Sequence, residues 1–211
     1  PIVAGFMVGV TTEGAFVTSS GARPGDRIVL TKTPALEGTA ILCTEGRSRL
    51  EHHMSEDEIV SGAALRSLIS VVKDGTIAYG SGGLTAMHDP TEGGLYGGLH
   101  EICDASGAGC EVWSDAIPVH PITERVCRLL DVDPLGLISS GSMLMTCKPE
   151  SEHRVVATLE DEGIQAAVIG SILRNPQRRT LVGKDGQRPL PRPESDQLWV
   201  ALKRLASLGT P

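Results

Sequence analysis

Aromatic side chains are scarce. Two Phe, two Trp and two Tyr make up 3% of 211 residues, so the core has to be built from aliphatic side chains. A basic excess is missing as well. Nineteen Lys and Arg face 26 Asp and Glu, a net charge of -7. That excludes the basic face general nucleic-acid binding needs, and a polybasic patch for membrane surfaces. No apolar run approaches the roughly 20 residues of a membrane span, and no secretory signal opens the chain. The five cysteines, Cys43, Cys103, Cys110, Cys127 and Cys147, include no CxxC pair. An odd count at wide spacing fits neither a disulfide framework nor a structural zinc site. They read as buried thiols in a reducing cytoplasm.

The common nucleotide and nucleophile motifs are also missing. No G-x-x-x-x-G-K-[ST] occurs, and no G-x-S-x-G elbow. "GSGGL" (80–84) lacks the third glycine of a dinucleotide fingerprint and reads as a turn. Glu51-His52-His53 would point in different directions from a helix, so it reads as solvated surface. The first residue is Pro, which implies a chain processed or cut from something longer.

What remains is an ordinary globular composition, 40% hydrophobic and 21% charged, in a length that suits one large domain or two small ones. Twenty-five glycines mark many positions of positive φ or close backbone approach. The patterns predict strands at 2–12, 27–32, 84–89, 110–119, 142–148 and 166–173, with a further short run at 68–72 of strand character. They predict helices at 35–50, from 56 into the 60s, at 91–105, 121–130, 151–163 and 195–206. Ser55-Glu56-Asp57-Glu58 fits a capping box, Gly107 a C-cap and Ser195 an N-cap. Asp185-Gly186 suggests a hairpin. Strands and helices mix without a linker, which points to a sheet with helices packed on it.

One stretch concentrates chemistry: "LTAMHDPTEGGL" (84–95). If Thr91 opens a helix, the amides near Glu92, Gly93 and Gly94 lack partners inside it and face outward at the positive end of the macrodipole. Two glycines leave that backbone open, the generic design of a phosphate seat. Asp89 and Glu92 would repel a bare phosphate, whereas a bridging Mg²⁺ reverses the sign. The plainer alternative is that Asp89 or Thr91 caps the helix and the glycines allow tight packing.

"TAMHDPTEGGLYGGLHEICDASGAGCEV" (85–112) resembles the C-terminal domain of the aminoimidazole ribonucleotide (AIR) synthetase superfamily. "SGARPGDRIVLTKTPALEGTAIL" (20–42), "DAIPVHPITERVCRLLDVDPLGLISSGSMLMT" (115–146), "AAVIGSI" (166–172) and "PESDQLWVAL" (193–202) extend the likeness over nearly the whole chain. The pattern is most similar to the HypE-like, AIR synthase-related branch. The resemblance implies a three-layer α/β/α domain with a mixed sheet over 19–211, preceded at 1–18 by the last strand or strands of a missing N-terminal domain, or by the domain join. It implies ATP and Mg²⁺ in a cleft between the two domains, and phosphoryl transfer that activates a small substrate. His88 would be catalytic; Asp89, Thr91, Gly93, Gly94, Ser140 and Gly141 would hold the cofactor; Asp89 and Glu92 would hold the metal.

The implied whole is an ATP-dependent ligase or phosphotransferase-type enzyme, cytoplasmic, and inactive as the isolated fragment. Its partners would be the missing domain, a small-molecule substrate and a second copy in a homodimer; pairing of another copy on an exposed edge at 2–12 would instead be a consequence of truncation. The alternative is a degenerate, non-catalytic family member serving a hydrogenase maturation pathway. Two departures bear on that branch. HypE proteins usually end in a cysteine, and this chain ends Leu208-Gly209-Thr210-Pro211. HypE proteins commonly carry Arg where Glu92 stands.

Overall fold

The computed structural model describes residues 5, 6 and 8–209. The elements in chain order are β1 (Arg27–Thr31), α1 (Leu36–Glu45), α2 (Arg47–Leu50), α3 (Glu56–Ala64), α4 (Val72–Ser81), β2 (Leu84–His88), α5 (Gly94–Ser106), β3 (Gly109–Trp113) and α6 (Pro121–Leu129). There follow β4 (Leu144–Cys147), α7 (Glu152–Asp161), β5 (Ala166–Leu173), β6 (Arg179–Gly183), β7 (Gly186–Pro189) and α8 (Gln197–Ser207). The strands form one mixed sheet in the order β2-β4-β1-β5-β3-β6-β7. Every pairing is antiparallel except β3 with β6.

Period-two alternation sends the strand side chains to opposite faces. Ile28, Leu30 and Leu144 pack with Leu95, Leu99 and Ile102 of α5 on one face. Val29, Met145 and Cys147 pack with Ala78 of α4 and with Val155 and Leu159 of α7 on the other. A third cluster joins Leu42, Leu50, Ile59, Val126, Leu198 and Leu205, so that α1, α2, α3, α6 and α8 share a core of their own. The result is the expected α/β domain in three layers, its core almost wholly aliphatic. All five cysteines are buried and free. Among the described residues, no helix is long and apolar enough to cross a membrane.

Several predicted elements stand as expected. Ser55 and Glu58 form the capping box: the Glu58 amide donates to Ser55 Oγ at 3.3 Å, and the Ser55 amide donates to Glu58 Oε2 at 2.8 Å. Gly107 ends α5 in the left-handed conformation at φ 61°, and Pro121 opens α6. Gly183 and Gly186 close the β6–β7 hairpin.

Others differ. Of the strand predicted at 2–12, residues 2–4 and 7 lie outside the described residues; residues 5, 6 and 8–12 form no strand and are exposed. A strand needs a neighbour for its amides and carbonyls, and none among the described residues pairs with them. Residues 68–72 end a 3₁₀ turn and open α4 instead of forming a strand. β3 stops at Trp113 and turns into a 3₁₀ segment at Ser114–Ala116. The helix predicted from Thr91 begins at Gly94, because Gly93 sits at φ 78° and breaks the right-handed run. Asp196, not Ser195, caps α8.

Candidate functional site

β1 and β2 run in the same direction, each antiparallel to β4 between them, and Leu30 and His88 both pair with Leu144. The chain therefore leaves β1 at Lys32 and β2 at Asp89 at the same end of the sheet, where it also enters β4. Three loops meet there, and Ser139 stitches them. The Ala35 amide donates to Ser139 Oγ at 2.8 Å, and the Ser139 amide donates to the Thr91 carbonyl at 3.2 Å. Ser139 Oγ in turn donates to the Leu137 carbonyl at 2.9 Å.

Below these loops lies a polar network. Thr31 Oγ1 donates to Asp74 at 2.6 Å and accepts from the Met143 amide at 2.9 Å. Lys32 Nζ donates to the Leu68 and Ser70 carbonyls, each at 3.0 Å, and to the Asp74 carboxylate at 3.2 Å. Asp74 is buried at 2% exposure, so this pairing is what makes its charge tolerable there. Lys32 and Ala35 hold left-handed backbone at φ 53° and 62°. Such non-glycine residues cost about 1–2 kcal/mol each and tend to cluster where function constrains the chain.

The residues singled out in the sequence divide into separate groups. Asp89, Thr91 and Glu92 are exposed on the loop, Ser140 is half-buried, and Gly93, Gly94 and Gly141 are buried. The Asp89 carboxyl is pushed above its ordinary value. Desolvation by its neighbours is the largest cause; His88 and Lys32 pull it down, while Glu37 and Asp74 push it up. His88 has partners outside this loop. Its Nδ1 lies 3.1 Å from Ser19 Oγ, and its Nε2 lies 2.6 Å from Glu101 Oε2.

The phosphate-seat geometry needs correcting. The Gly93 amide donates to Asp196 Oδ2 at 2.7 Å, and the Gly94 amide to the Thr91 carbonyl at 3.0 Å. Asp196 Oδ1 also accepts from the amides of Ile138 and Leu198, at 3.2 and 2.7 Å. An internal carboxylate, 6% exposed, thus holds the place a ligand anion was expected to take. A Cβ on Gly94 would come within 2.6 Å of the carbonyl oxygens of Leu135 and Leu137. Glycine is required there so that one loop can lie directly on the other.

Lys32, Asp74, Ser139 and Asp196 carry the arrangement without having been singled out. Asp196 was legible in principle as an Asp just before an amphipathic helix. The others are recognisable only once the strand order brings their loops together. Among the described residues, no three His, Cys, Asp or Glu side chains lie close enough to hold a metal together. Mg²⁺ commonly takes only one or two carboxylates and completes its shell with phosphate and water. Exposed Asp89 and Glu92 fit that partial donor set.

A groove of about 300 Å³ runs beside the loop, lined by Glu92, Gly97, Glu101, Asp104, Arg192 and Asp196 among others. The polypeptide crossing it, 190–196, is tied to α5 by the Arg192–Asp104 ion pair at 2.8 Å and by His100, whose Nε2 lies 3.1 Å from the Pro191 carbonyl.

Fold and loops together define a three-layer α/β domain with a polar site at one end of its mixed sheet, where two parallel-running strands release their chains. The chain belongs to the family of AIR synthase related proteins, C-terminal domain, which it matches over residues 23–182. It is 34% identical over 166 residues to the carbamoyl dehydratase HypE of Bradyrhizobium diazoefficiens, an alignment covering 77% of this chain and 45% of that protein. The crystal structure of E. coli HypE, a hydrogenase maturation protein, superposes with a TM-score of 0.67 at 25% identity, covering 88% of this chain and 55% of that one. A HypE structure in complex with ATP gives a TM-score of 0.65 at 25% identity, over 86% of this chain and 55% of that one. The chain thus spans about half the length of the relatives it matches.

Proposed function

We propose that these residues form one wall of an ATP cleft in an AIR synthase-related, HypE-like enzyme that activates a small substrate by phosphoryl transfer. The observation that carries this reading is the meeting of the 32–35, 89–94 and 139–142 loops at one sheet end, with exposed Asp89, Thr91 and Glu92 on the rim. Asp89 and Glu92 would hold Mg²⁺, which supplies charge neutralisation between the phosphates when bound. Thr91 and Ser140 offer hydroxyls to phosphate oxygens. Gly93, Gly94 and Gly141 serve by shape, letting the loops lie close. His88, held by Glu101, is the acid–base residue nearest the rim. The opposite wall would come from an N-terminal domain for which residues before about 19 form the join, so the isolated chain would be inactive. That whole enzyme would act in the cytoplasm and as a homodimer.

The support from relatives is that a HypE binds ATP. The competing reading is a non-catalytic member used in assembly of a maturation complex. Its physical basis is that Asp196 already answers the Gly93 amide. Calorimetry with Mg-ATP decides between them, on the longest natural chain containing these residues and on its Asp89→Ala variant. A carboxylate that meets the metal should weaken binding roughly 10- to 100-fold on removal. Equal affinities would remove Asp89 from the site, and no binding to either chain would favour the assembly role.

A further inference from the structure

Ser19, His88 and Glu101 form a line of side chains. Ser19 Oγ lies 3.1 Å from His88 Nδ1, and His88 Nε2 lies 2.6 Å from Glu101 Oε2. An ionised carboxylate only accepts, so Nε2 carries a proton, and in the neutral imidazole the Nδ1 lone pair faces the serine. This is the arrangement of an activated nucleophile: hydroxyl, base, and a third group that fixes the base. The serine is held on both sides. Its carbonyl accepts from Ser106 Oγ at 3.3 Å, and the carbonyl before it accepts from the Met87 amide at 3.1 Å. The single Ser19 Oγ proton lies within reach of two acceptors, His88 Nδ1 and the Met87 carbonyl at 3.2 Å, which compete for it.

A simple tether of residues 18–20 to β2 would need only those backbone contacts. Glu101 adds nothing to such a tether. Its side chain is 55% exposed, and exposed ion pairs contribute little stability. What Glu101 does fix is the tautomer of His88. The His88 side chain is 23% exposed, so a small electrophile can reach the pair.

We propose that Ser19 is a catalytic nucleophile toward activated phosphoryl groups, with His88 as its base and Glu101 as the positioning residue. The Ser19 oxygen forms a bond to phosphorus. The bond from phosphorus to the leaving group breaks, and its electron pair departs with that group. The serine proton passes to His88 Nδ1 and from there to the leaving group or to solvent. The step shares His88 with the ATP reading but uses neither Asp89 nor Thr91, so labelling of Ser19 and binding of Mg-ATP test the two separately.

The test uses the 211-residue chain and a fluorophosphonate probe, in which fluoride is the leaving group, with the modified residue located by peptide mass spectrometry. Ser19 should be labelled at least ten times faster than the other serines. His88→Gln and Glu101→Gln should each slow that labelling at least tenfold without shifting the thermal midpoint, and Glu101→Asp should restore part of it. If His88→Gln does not fold, Glu101→Gln alone decides. Labelling of Ser19 no faster than of other serines, or unchanged by Glu101→Gln in folded protein, overturns the proposal. Acetyl phosphate and Mg-ATP are then supplied separately. Phosphoserine at position 19 from either supports the assignment and names the donor; none from both overturns it.

Discussion

At the start of α3, Ser55 and Glu58 exchange bonds across three residues. At the start of α5, the Gly93 amide is met by a carboxylate 103 residues further along. Both ends satisfy the same requirement, that amides where a helix starts find acceptors. The first does so locally and at the surface. The second does so through a buried side chain that also caps α8 and holds the 138 loop. The local cap stabilises one helix. The distant one ties three segments into the architecture of the candidate site, and an anion from within the chain stands where one from outside was expected.

That difference can be broken most severely at Asp196. Its replacement by Ala leaves the amides of Gly93, Ile138 and Leu198 without their carboxylate, and urea unfolding should show a loss of about 3–5 kcal/mol. A loss below about 1 kcal/mol would mean that these segments are held by packing alone. Ser55→Ala should cost only about 1 kcal/mol in the same assay.

The smallest effect is expected from mild acid, which separates the two ends without a substitution. His100 Nδ1 accepts from Arg179 at 2.9 Å and its Nε2 holds the Pro191 carbonyl, on the segment that leads to Asp196. Burial lowers its pKa below the ordinary 6.5. The Pro191 carbonyl opposes this, and Arg179 and Arg192 reinforce it. The folded ring therefore resists a proton that the unfolded chain accepts. Its contribution is fully present above 6.5 and is lost as pH falls from there toward the lower folded value. The Glu58 carboxyl is held below its ordinary 4.5 by its bonds to Ser55, so the α3 cap weakens only in stronger acid. Thermal melts between about pH 7 and pH 5 should decline, and His100→Gln should flatten that decline. An identical decline in the variant would exonerate His100.

The same contrast explains what the amino-acid order disclosed. The Ser55 box, the Gly107 cap, Pro121 and the alternating strands act over a few residues, and each was readable. The motif at 84–95 was found, and its strand and helix were placed. The direction of its amides was misread, because Asp196 is remote in sequence and reaches Gly93 only through the fold. Ser139 escaped notice beside Ser140 for the same reason. One residue of difference decides which hydroxyl turns inward, and the contacts of Ser139 with the 35, 91 and 137 positions set that. The 2–12 segment reads as a strand from its residues, yet a strand exists only when another takes its hydrogen bonds, and residues 5, 6 and 8–12 have no strand partner among the described residues.

The Ser139 stitch has a consequence for how the molecule forms. Ala35 and Ser139 lie 104 positions apart, and their contact requires β1 and β4 to be paired already. Loop closure over such distances comes late and slowly. Helices such as α3 can form from their own residues, whereas the polar end of the sheet cannot exist in any partly folded intermediate that lacks β4. During folding, the polar end should therefore assemble as one of the last events, together with the final docking of the three loops.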